Sequence, residues 1–554
     1  MLLAMLQRCR AANPHNVRRA TLAWLLLLAA CGGGGGGDDS DGGGPPLSLP
    51  ARIASGATPV AAGCTGGSTT GTLYVDAEVE PFAALHPSDA NHLLAAWQQD
   101  RWSDGGSRAL VSAVSLDGGA TWQRTLLPMS RCGGAVTGSA GDFERVSDPW
   151  VDIGPDGTEH VLGLVFNGKA LQPGSSSGVA TSRSADGGIT WTPPQLIAQD
   201  GATFFNDKDA LTADPTDARF VYAVWDRLDA AGHGPAMLAR SIDGGLSWEP
   251  ARALFTPNSA GVSQTLGNRI VVLAAGTERG TLIDVFNQID TVNGVSSSRV
   301  GLVRSADHGL TWSAPIYVAA LQSVGARNPE GGAPIRDGAD LPTIAAAPDG
   351  SLWVAWQDAR FSGGLHDAIA ISHSTDGGRT WSAPAAINMV ATVAAFTPTL
   401  VVRADGLVGV MHYDLRSNTA APATLFADAW LLTSRDGLTW TESHVAGPFD
   451  MAQAPNAEGL FLGDYQGLVA GGTSFTPLLA LSRTDPTNRT DVFAPRLDGL
   501  GTALASPLAM HQARREVPPV IDANRLRTLH SQAIGAAMER RIPGWRERVQ
   551  GVAR

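Results

Sequence analysis

Two repeat patterns predict an all-β fold, a seven-bladed β-propeller, with six blades as the alternative. The first is an eight-residue stretch, STDGGRTW at 374–381. It recurs at 115–122, 184–191, 241–248 and 305–312 and, one residue shorter, at 434–440. The second is a strand–turn–strand pattern, clearest at 340–360 (DLPTIAAAPDGSLWVAWQDAR), which also occurs at 81–101, 148–169, 207–227, 269–288, 396–416 and 464–483. Six copies of the short pattern, 55 to 70 residues apart, and seven of the long one mark a chain built from one supersecondary unit used repeatedly.

Each residue type in the short pattern has a physical task. It lies between two apolar runs, which makes it a β-hairpin turn. Asp117, Asp186, Asp243, Asp307, Asp376 and Asp436 can accept hydrogen bonds from nearby backbone N–H groups and so hold the turn. The glycines supply the positive φ that a tight hairpin needs. The tryptophan brings a large ring to bury between sheets.

In chain order, the first 30 residues have the layout of a targeting segment. Arg8, Arg10, Arg18 and Arg19 precede an apolar run at 20–30 (ATLAWLLLLAA) that is too short to span a bilayer. Leu28-Ala29-Ala30-Cys31 resembles a bacterial lipobox. The resemblance implies cleavage before Cys31, lipidation of that cysteine and export, with the outer membrane or cell surface as destination. Residues 31–65 begin with a glycine-rich stretch, GGGGGGDDSDGGGPPLSLP at 32–50, whose composition makes a flexible tether.

The formal net charge is −12; residues 1–30 contain four arginines and no acids, so the remainder carries −16. That balance argues against nucleic acid as a partner. Of the four cysteines, Cys9 leaves with the signal and Cys31 is the lipid site, which leaves Cys64 and Cys132. An exported compartment permits a disulfide between them, and two free thiols are the alternative.

The repeats occupy 66–500. Each long pattern is two strands about a Pro-Asp-Gly-like turn, and the short pattern supplies strands three and four, which makes a propeller blade. The seventh unit has no short pattern and ends in a single strand at 491–497. The run TLYVDAE at 72–78 is a spare strand expected to complete that last blade. The segment 501–554 is arginine-rich. Asp522 reads as an N-cap, Leu526, Leu529, Ala533 and Ala537 fall on one helical face, and Pro543 ends the helix.

The short pattern resembles the Asp box, or BNR repeat, of the sialidase-like β-propellers. The resemblance covers about residues 70–500 and implies the fold; true sialidases have six blades, so seven is a departure. It also implies a chemistry: three arginines clamp a carboxylate, a tyrosine nucleophile is activated by a glutamate, and an aspartate acts as acid and base.

Antiparallel pairing puts the start of each first strand and the end of each second strand on one face. That mouth is where a concave site belongs. The expected substrate-binding residues there are Arg101, Arg227, Arg336, Arg360, Arg416 and Lys208, the last one of only two lysines in the chain. Tyr465, Tyr413, Asp148 and Glu458 are the catalytic candidates. The Arg-Ile-Pro motif that opens the first blade of true sialidases is replaced by Glu80-Pro81-Phe82, and Arg269-Ile270-Val271 is a partial echo in another unit.

No metal site is expected from spacing, although Asp148, Asp207, Asp209 and Asp464 could offer oxygen ligands to Ca²⁺. His-Glu-x-x-His and P-loop motifs are absent. Two functions stay open: a glycoside hydrolase, exo-sialidase-like, acting on glycans, and a non-catalytic propeller lipoprotein that binds carbohydrate or protein. The expected partner is a glycan or cell-surface polymer, with the membrane reached only through the lipid.

Overall fold

The computed structural model describes residues 47–501 and 522–547. The expected signal segment, the expected lipid site Cys31 and the glycine tract lie outside the described residues. What is described is a succession of antiparallel sheets followed by one helix.

The first unit consists of β1 (Leu73–Leu85), β2 (Leu93–Trp102), β3 (Ser107–Ser115) and β4 (Gln123–Leu127). The second has β5 (Arg145–Ile153), β6 (Glu159–Asn167), β7 (Ser176–Ser184) and β8 (Gln195–Gly201). The third has β9 (Phe204–Ala213), β10 (Val221–Asp229), β11 (Ala236–Ser241) and β12 (Arg252–Phe255). The fourth has β13 (Val262–Val272), β14 (Leu282–Val292), β15 (Val295–Ser305) and β16 (Ile316–Leu321).

A two-residue strand, β17 (Ile335–Arg336), precedes the fifth unit of β18 (Thr343–Ala346), β19 (Leu352–Asp358), β20 (Ala368–Ser374) and β21 (Ala385–Ala386). The sixth has β22 (Ala395–Val402), β23 (Val408–Asp414), β24 (Phe426–Ser434) and β25 (Thr441–Asp450). Then β26 (Leu460–Phe461) pairs in parallel with β17, and β27 (Gly467–Gly471), β28 (Ser474–Asp485) and β29 (Asn488–Phe493) form the seventh unit. The first strands lie against one another in chain order, β1 on β5, β5 on β9, β9 on β13, β13 on β18, β18 on β22 and β22 on β27, and β27 lies against β1.

The six short repeats form the turns that the residue types require. Asp376 Oδ1 accepts from Arg379 N and Thr380 N, each at 2.9 Å, and Oδ2 accepts from Thr380 Oγ1 at 2.6 Å. Asp117, Asp186, Asp243, Asp307 and Asp436 accept from the matching backbone positions of their own turns. Gly377 and Gly378 have φ of +71° and +87°, a region costly for residues with a Cβ. The six turn tryptophans, Trp122, Trp191, Trp248, Trp312, Trp381 and Trp440, pack at the edges of the apolar clusters. Fully buried Trp97, Trp225 and Trp356 sit on the second strands of their units. Each indole N–H is satisfied, by Gln99, Asn206 and Asp358, as burial of that polar handle requires.

Two expectations need correction. The run 72–78 is not a separate closing strand: it is continuous with β1, pairs with β2, and meets β29 only at Ala77 opposite Thr490, in parallel. β29 pairs antiparallel with β28, and an earlier segment of the chain also runs antiparallel to it. Ala54 N donates to Val492 O at 2.8 Å, Ala494 N donates to Arg52 O at 3.0 Å, and Ile53 bridges Phe493. The segment at 52–54 lacks the alternation of a long strand, which is why periodicity did not reveal it.

The helix α1 (Ala523–Arg541) is capped by Asp522 as expected. However, its buried stripe is Leu526, His530, Ile534 and Met538, and Ala533 and Ala537 lie only at its margin. His530 is tolerated inside because its ring nitrogens meet Ser323 O at 2.7 Å and Ser298 Oγ at 3.0 Å.

Cys64 and Cys132 are joined by a disulfide. It ties the segment before β1 to the loop after β4.

Candidate functional site

The first strands share a local distortion. Register breaks fall between Val79 and Phe82 in β1, Ser147 and Trp150 in β5, Leu266 and Arg269 in β13, and Phe396 and Thr399 in β22, with a matching break in β9. At each break one residue takes a left-handed backbone: Glu80 (φ 52°), Asp148 (50°), Lys208 (50°), Gly267 (68°) and Thr397 (51°). Four of these five are not glycine. Such bulges re-aim side chains, and residues held in this strained region gather at functional sites.

The bulges surround a cavity of about 570 Å³ of non-atom space, open to solvent. Every unit contributes to it: Phe82, Trp150, Lys208, Arg269, Thr343, Thr399 and Tyr465 each come from a different one. Phe82 and Trp150 stack with ring centroids 3.6 Å apart, and Tyr465 meets Trp150 edge-on at 5.4 Å.

An ion cluster lies at one side. Lys208 Nζ is 2.7 Å from Asp464 Oδ2, 3.2 Å from Asp148 Oδ2 and 3.8 Å from Glu80 Oε1. Burial opposes the charge on Lys208, but the carboxylates Asp148, Asp464 and Glu80 outweigh it and hold the ammonium well above its ordinary pKa. Arg336 forks onto Asp464, Nε–Oδ1 at 3.2 Å and Nη2–Oδ2 at 2.8 Å. Burial would raise the pKa of Asp464, and Arg336 with Lys208 overcomes it and keeps the group ionised. Glu80 behaves oppositely: burial first, then Asp148, push its pKa up against the pull of Lys208. Arg101 donates to Gln98 Oε1 at 2.6 Å, and Gln98 in turn bonds Glu80. The Arg101 and Arg336 guanidinium groups lie 4.7 and 4.4 Å from the centroid of the Phe461 ring.

Of the residues expected at the site, Asp148, Lys208, Arg101, Arg336 and Tyr465 therefore come together. The others do not. Arg227 is held by Asp200 at 2.7 and 2.8 Å, Arg360 by Asp358 at 2.7 and 2.9 Å, and Arg416 by Asp414 and Glu442 at 2.6 to 2.8 Å. Tyr413 is buried in an apolar cluster and donates to Ala480 O at 3.0 Å. Glu458 is exposed, beside Ala457, whose carbonyl accepts from Arg336 at 3.4 Å.

Tyr465 OH donates to Pro149 O at 3.1 Å, with no glutamate as acceptor. Burial, and then Glu80, drive its pKa well up, so the phenol stays neutral. Among the acidic residues considered as Ca²⁺ ligands, Asp148 and Asp464 surround the Lys208 ammonium, and Asp207 bonds Arg541 at 2.7 Å.

Sequence reasoning missed Glu80, the Phe82–Trp150 pair and the placement of Arg269 in the cavity wall. A signal for the first two was present. Aligned at the bulge, Glu80-Pro81-Phe82 and Asp148-Pro149-Trp150 repeat an acid–Pro–aromatic triplet.

Buried carboxyls give the fold a testable pH dependence. Burial raises Glu159, Asp226 and Asp367 to about 7 and Asp152 and Asp337 to about 6. Between pH 4 and 7 the native chain keeps protons that the unfolded chain has released. The stabilisation these groups confer is thus fully present below about pH 4 and is lost as pH rises through 6 to 7. Hydrogen-bonded acids such as Asp307 and Glu278, held at about 2, act oppositely and lose their contribution as pH falls below 4. Thermal unfolding should therefore give its highest Tm near pH 4–5 and a lower Tm at pH 8; a maximum at pH 8 would contradict the assignment.

Comparison with known proteins adds a family. Residues 221–464 match the BNR repeat-like domain family. Residues 221–464 thus carry a BNR repeat-like domain. A sialidase of Micromonospora viridifaciens is 27% identical over 349 residues, 57% of this chain and 48% of the relative. The chain thus spans about half the length of the curated relative it matches. Among solved structures, a Hadza microbial sialidase aligns with a TM-score of 0.42 at 17% identity, covering 74% of each chain. An α-L-arabinofuranosidase of Fusarium graminearum aligns with a TM-score of 0.40 at 15% identity, covering 62% of this chain and 91% of its own.

Proposed function

We propose that the seven units close into a seven-bladed propeller and that the protein acts on glycans as a glycoside hydrolase, with the axial cavity as its site. The single observation that carries this reading is the cavity itself: all seven units line it, its walls are aromatic, and its surroundings push its carboxyls in opposite directions. Asp209 lines it and is pushed well up, by burial first and then by Asp148; Asp464 lines it and is pulled down by Arg336 and Lys208 against its burial. Carboxyl groups driven apart in this way suit proton donation and charge stabilisation at a glycosidic bond. The match to a sialidase supports a glycan substrate. The neutral phenol of Tyr465, bonded to a backbone carbonyl, suits packing better than nucleophilic attack, so the chemistry rests on carboxyls.

A non-catalytic glycan-binding module is the second reading. One observation favours it: Arg227, Arg360 and Arg416 are each held by carboxylates outside the cavity. We extend the proposal to an exported lipoprotein anchored at Cys31, testable by incorporation of labelled fatty acid that a Cys31→Ala variant loses.

Turnover decides between the two readings. The full chain is assayed on fluorogenic sialosides, arabinofuranosides and galactosides beside Asp209→Asn and Asp464→Asn variants. A hundredfold or greater loss in both variants is the expected result, in line with general acid–base contributions of about 10²–10⁴. Binding of sugars with no turnover on any substrate would replace the hydrolase with the binding module.

A further inference from the structure

Most polar groups of the axial cavity are already spent. The Lys208 ammonium serves Asp464 and Asp148, and both Asp464 oxygens accept from Arg336 and Lys208. Tyr465 OH donates to Pro149 O, and Thr399 Oγ1 donates to Gln466 O. Two side chains stand apart. Both carboxyl oxygens of Asp209, 3% exposed, and the amide oxygen of Asn268, 1% exposed, have no hydrogen-bond partner, and both residues line the cavity. Arg269, next to Asn268, is bonded through Nη1 to Thr343 Oγ1 at 2.9 Å and lies 5.1 Å over the Trp150 ring. Burial lowers its pKa, and the Asp152 carboxylate works against that.

The repeat itself says that the fold does not require these groups. Asp209 follows the left-handed Lys208, and Asn268 follows the left-handed Gly267. At the same step in three other units, after Glu80, Asp148 and Thr397, the chain has Pro81, Pro149 and Pro398. A residue without a polar side chain completes the bulge there. The two departures fall in adjacent units, on β9 and β13, and both leave a buried, unpartnered oxygen on a residue that lines the same cavity. Buried polar atoms without partners are disfavoured, and a local rule broken without structural gain marks a functional position.

We infer that Asp209, Asn268 and Arg269 form a recognition subsite for a polyhydroxylated ring, with neighbouring hydroxyls bonding Asp209 and Asn268 Oδ1 and an acceptor oxygen facing Arg269. This deepens the glycan reading and rests on it. The acceptor presented to Arg269 can come from a neutral sugar's hydroxyl or from a sugar carboxylate; the two share the same hydrogen-bonding chemistry at this subsite. A site built to bond hydroxyls discriminates strongly against ligands that lack them, because its own groups then stay unpaired.

Calorimetric titration of the full chain with methyl arabinofuranoside, methyl galactoside and the methyl glycoside of N-acetylneuraminic acid tests this. Wild type is compared with Asp209→Ala, Asn268→Ala and Arg269→Gln, and with Lys169→Gln as a surface control. The expected result is binding of at least one sugar, weakened tenfold or more by each of the three cavity variants and unchanged in the control. If the acid alone binds, Arg269 receives its carboxylate; if a neutral sugar binds, Arg269 receives a hydroxyl oxygen; both agree with the inference.

A second readout needs no ligand. Removing the unpartnered Asp209 carboxyl should leave the Tm of the free protein unchanged or higher, whereas a structural aspartate would lower it. Asn268 also donates to Asp226, so the stability readout is taken on Asp209. Sugar binding that survives all three substitutions overturns the subsite and leaves the glycan reading standing. A clear fall in Tm for Asp209→Ala overturns the subsite on its own. No binding of any sugar overturns both.

Discussion

Replacing Lys208 with methionine should cost about 3–5 kcal/mol at pH 7, the typical penalty for removing one partner from a buried ionic group. Methionine keeps the volume and flexibility of the lysine stem, so the change isolates the charge. It leaves Asp148 and Asp464 facing each other, with Glu80 beside them, without the ammonium that lies 3.2 and 2.7 Å from the first two. Arg336 still serves Asp464, so the penalty falls mainly on Asp148 and Glu80.

The effect has a pH signature. Protonation of the orphaned carboxyls relieves the repulsion, so the variant's deficit in urea unfolding should shrink between pH 7 and pH 4. A deficit below 1 kcal/mol at pH 7, or one independent of pH, would mean that the cluster contributes little to holding the first strands together.

The second large effect concerns the disulfide. Cys64 and Cys132 close a loop with a sequence separation of 68 residues, for which the loop-entropy relation gives about 4 kcal/mol of stabilisation. Loss of the bond through Cys132→Ala should lower the unfolding free energy by about that amount. Wild type in reductant should match the variant without reductant. The bond fastens the segment that runs beside β29 before the chain enters β1, so the loss should appear first as faster hydrogen exchange at 52–60 and in β29. Equal exchange there in the oxidised and reduced protein would remove this cross-link from any role in joining the chain's two ends.

Legibility in the sequence followed the range of the interaction. The turn aspartates were readable because each accepts from residues three or four positions away, as Asp376 does from Arg379 and Thr380. Lys208 stood out by rarity and by its flanking acids, although three carboxylates from other units, not Asp207 and Asp209, hold it. The arginines were harder. Arg360 and Arg416 meet aspartates two residues earlier, a pairing visible in the repeat, but the partners Asp200 of Arg227 and Glu442 of Arg416 lie 27 and 26 residues away. The helix was found, and its buried face was misassigned because His530 reads as polar until two hydrogen bonds satisfy it.

By itself the sequence determined the all-β repeat, the place of every Asp-box turn, the cysteine pair left for cross-linking and the face on which charged residues gather. These depend on neighbours along the chain, on backbone conformations that only certain residues tolerate, and on counting. Only the tertiary structure decided which charges cancel and which remain. Asp148, Asp209 and Asp464 look alike as letters. One shares a lysine, one has no partner, and one is clamped by an arginine 128 residues away. Burial and the sign of the nearest charge push the pKa of Asp209 up and that of Asp464 down, and both are properties of the assembled sheets.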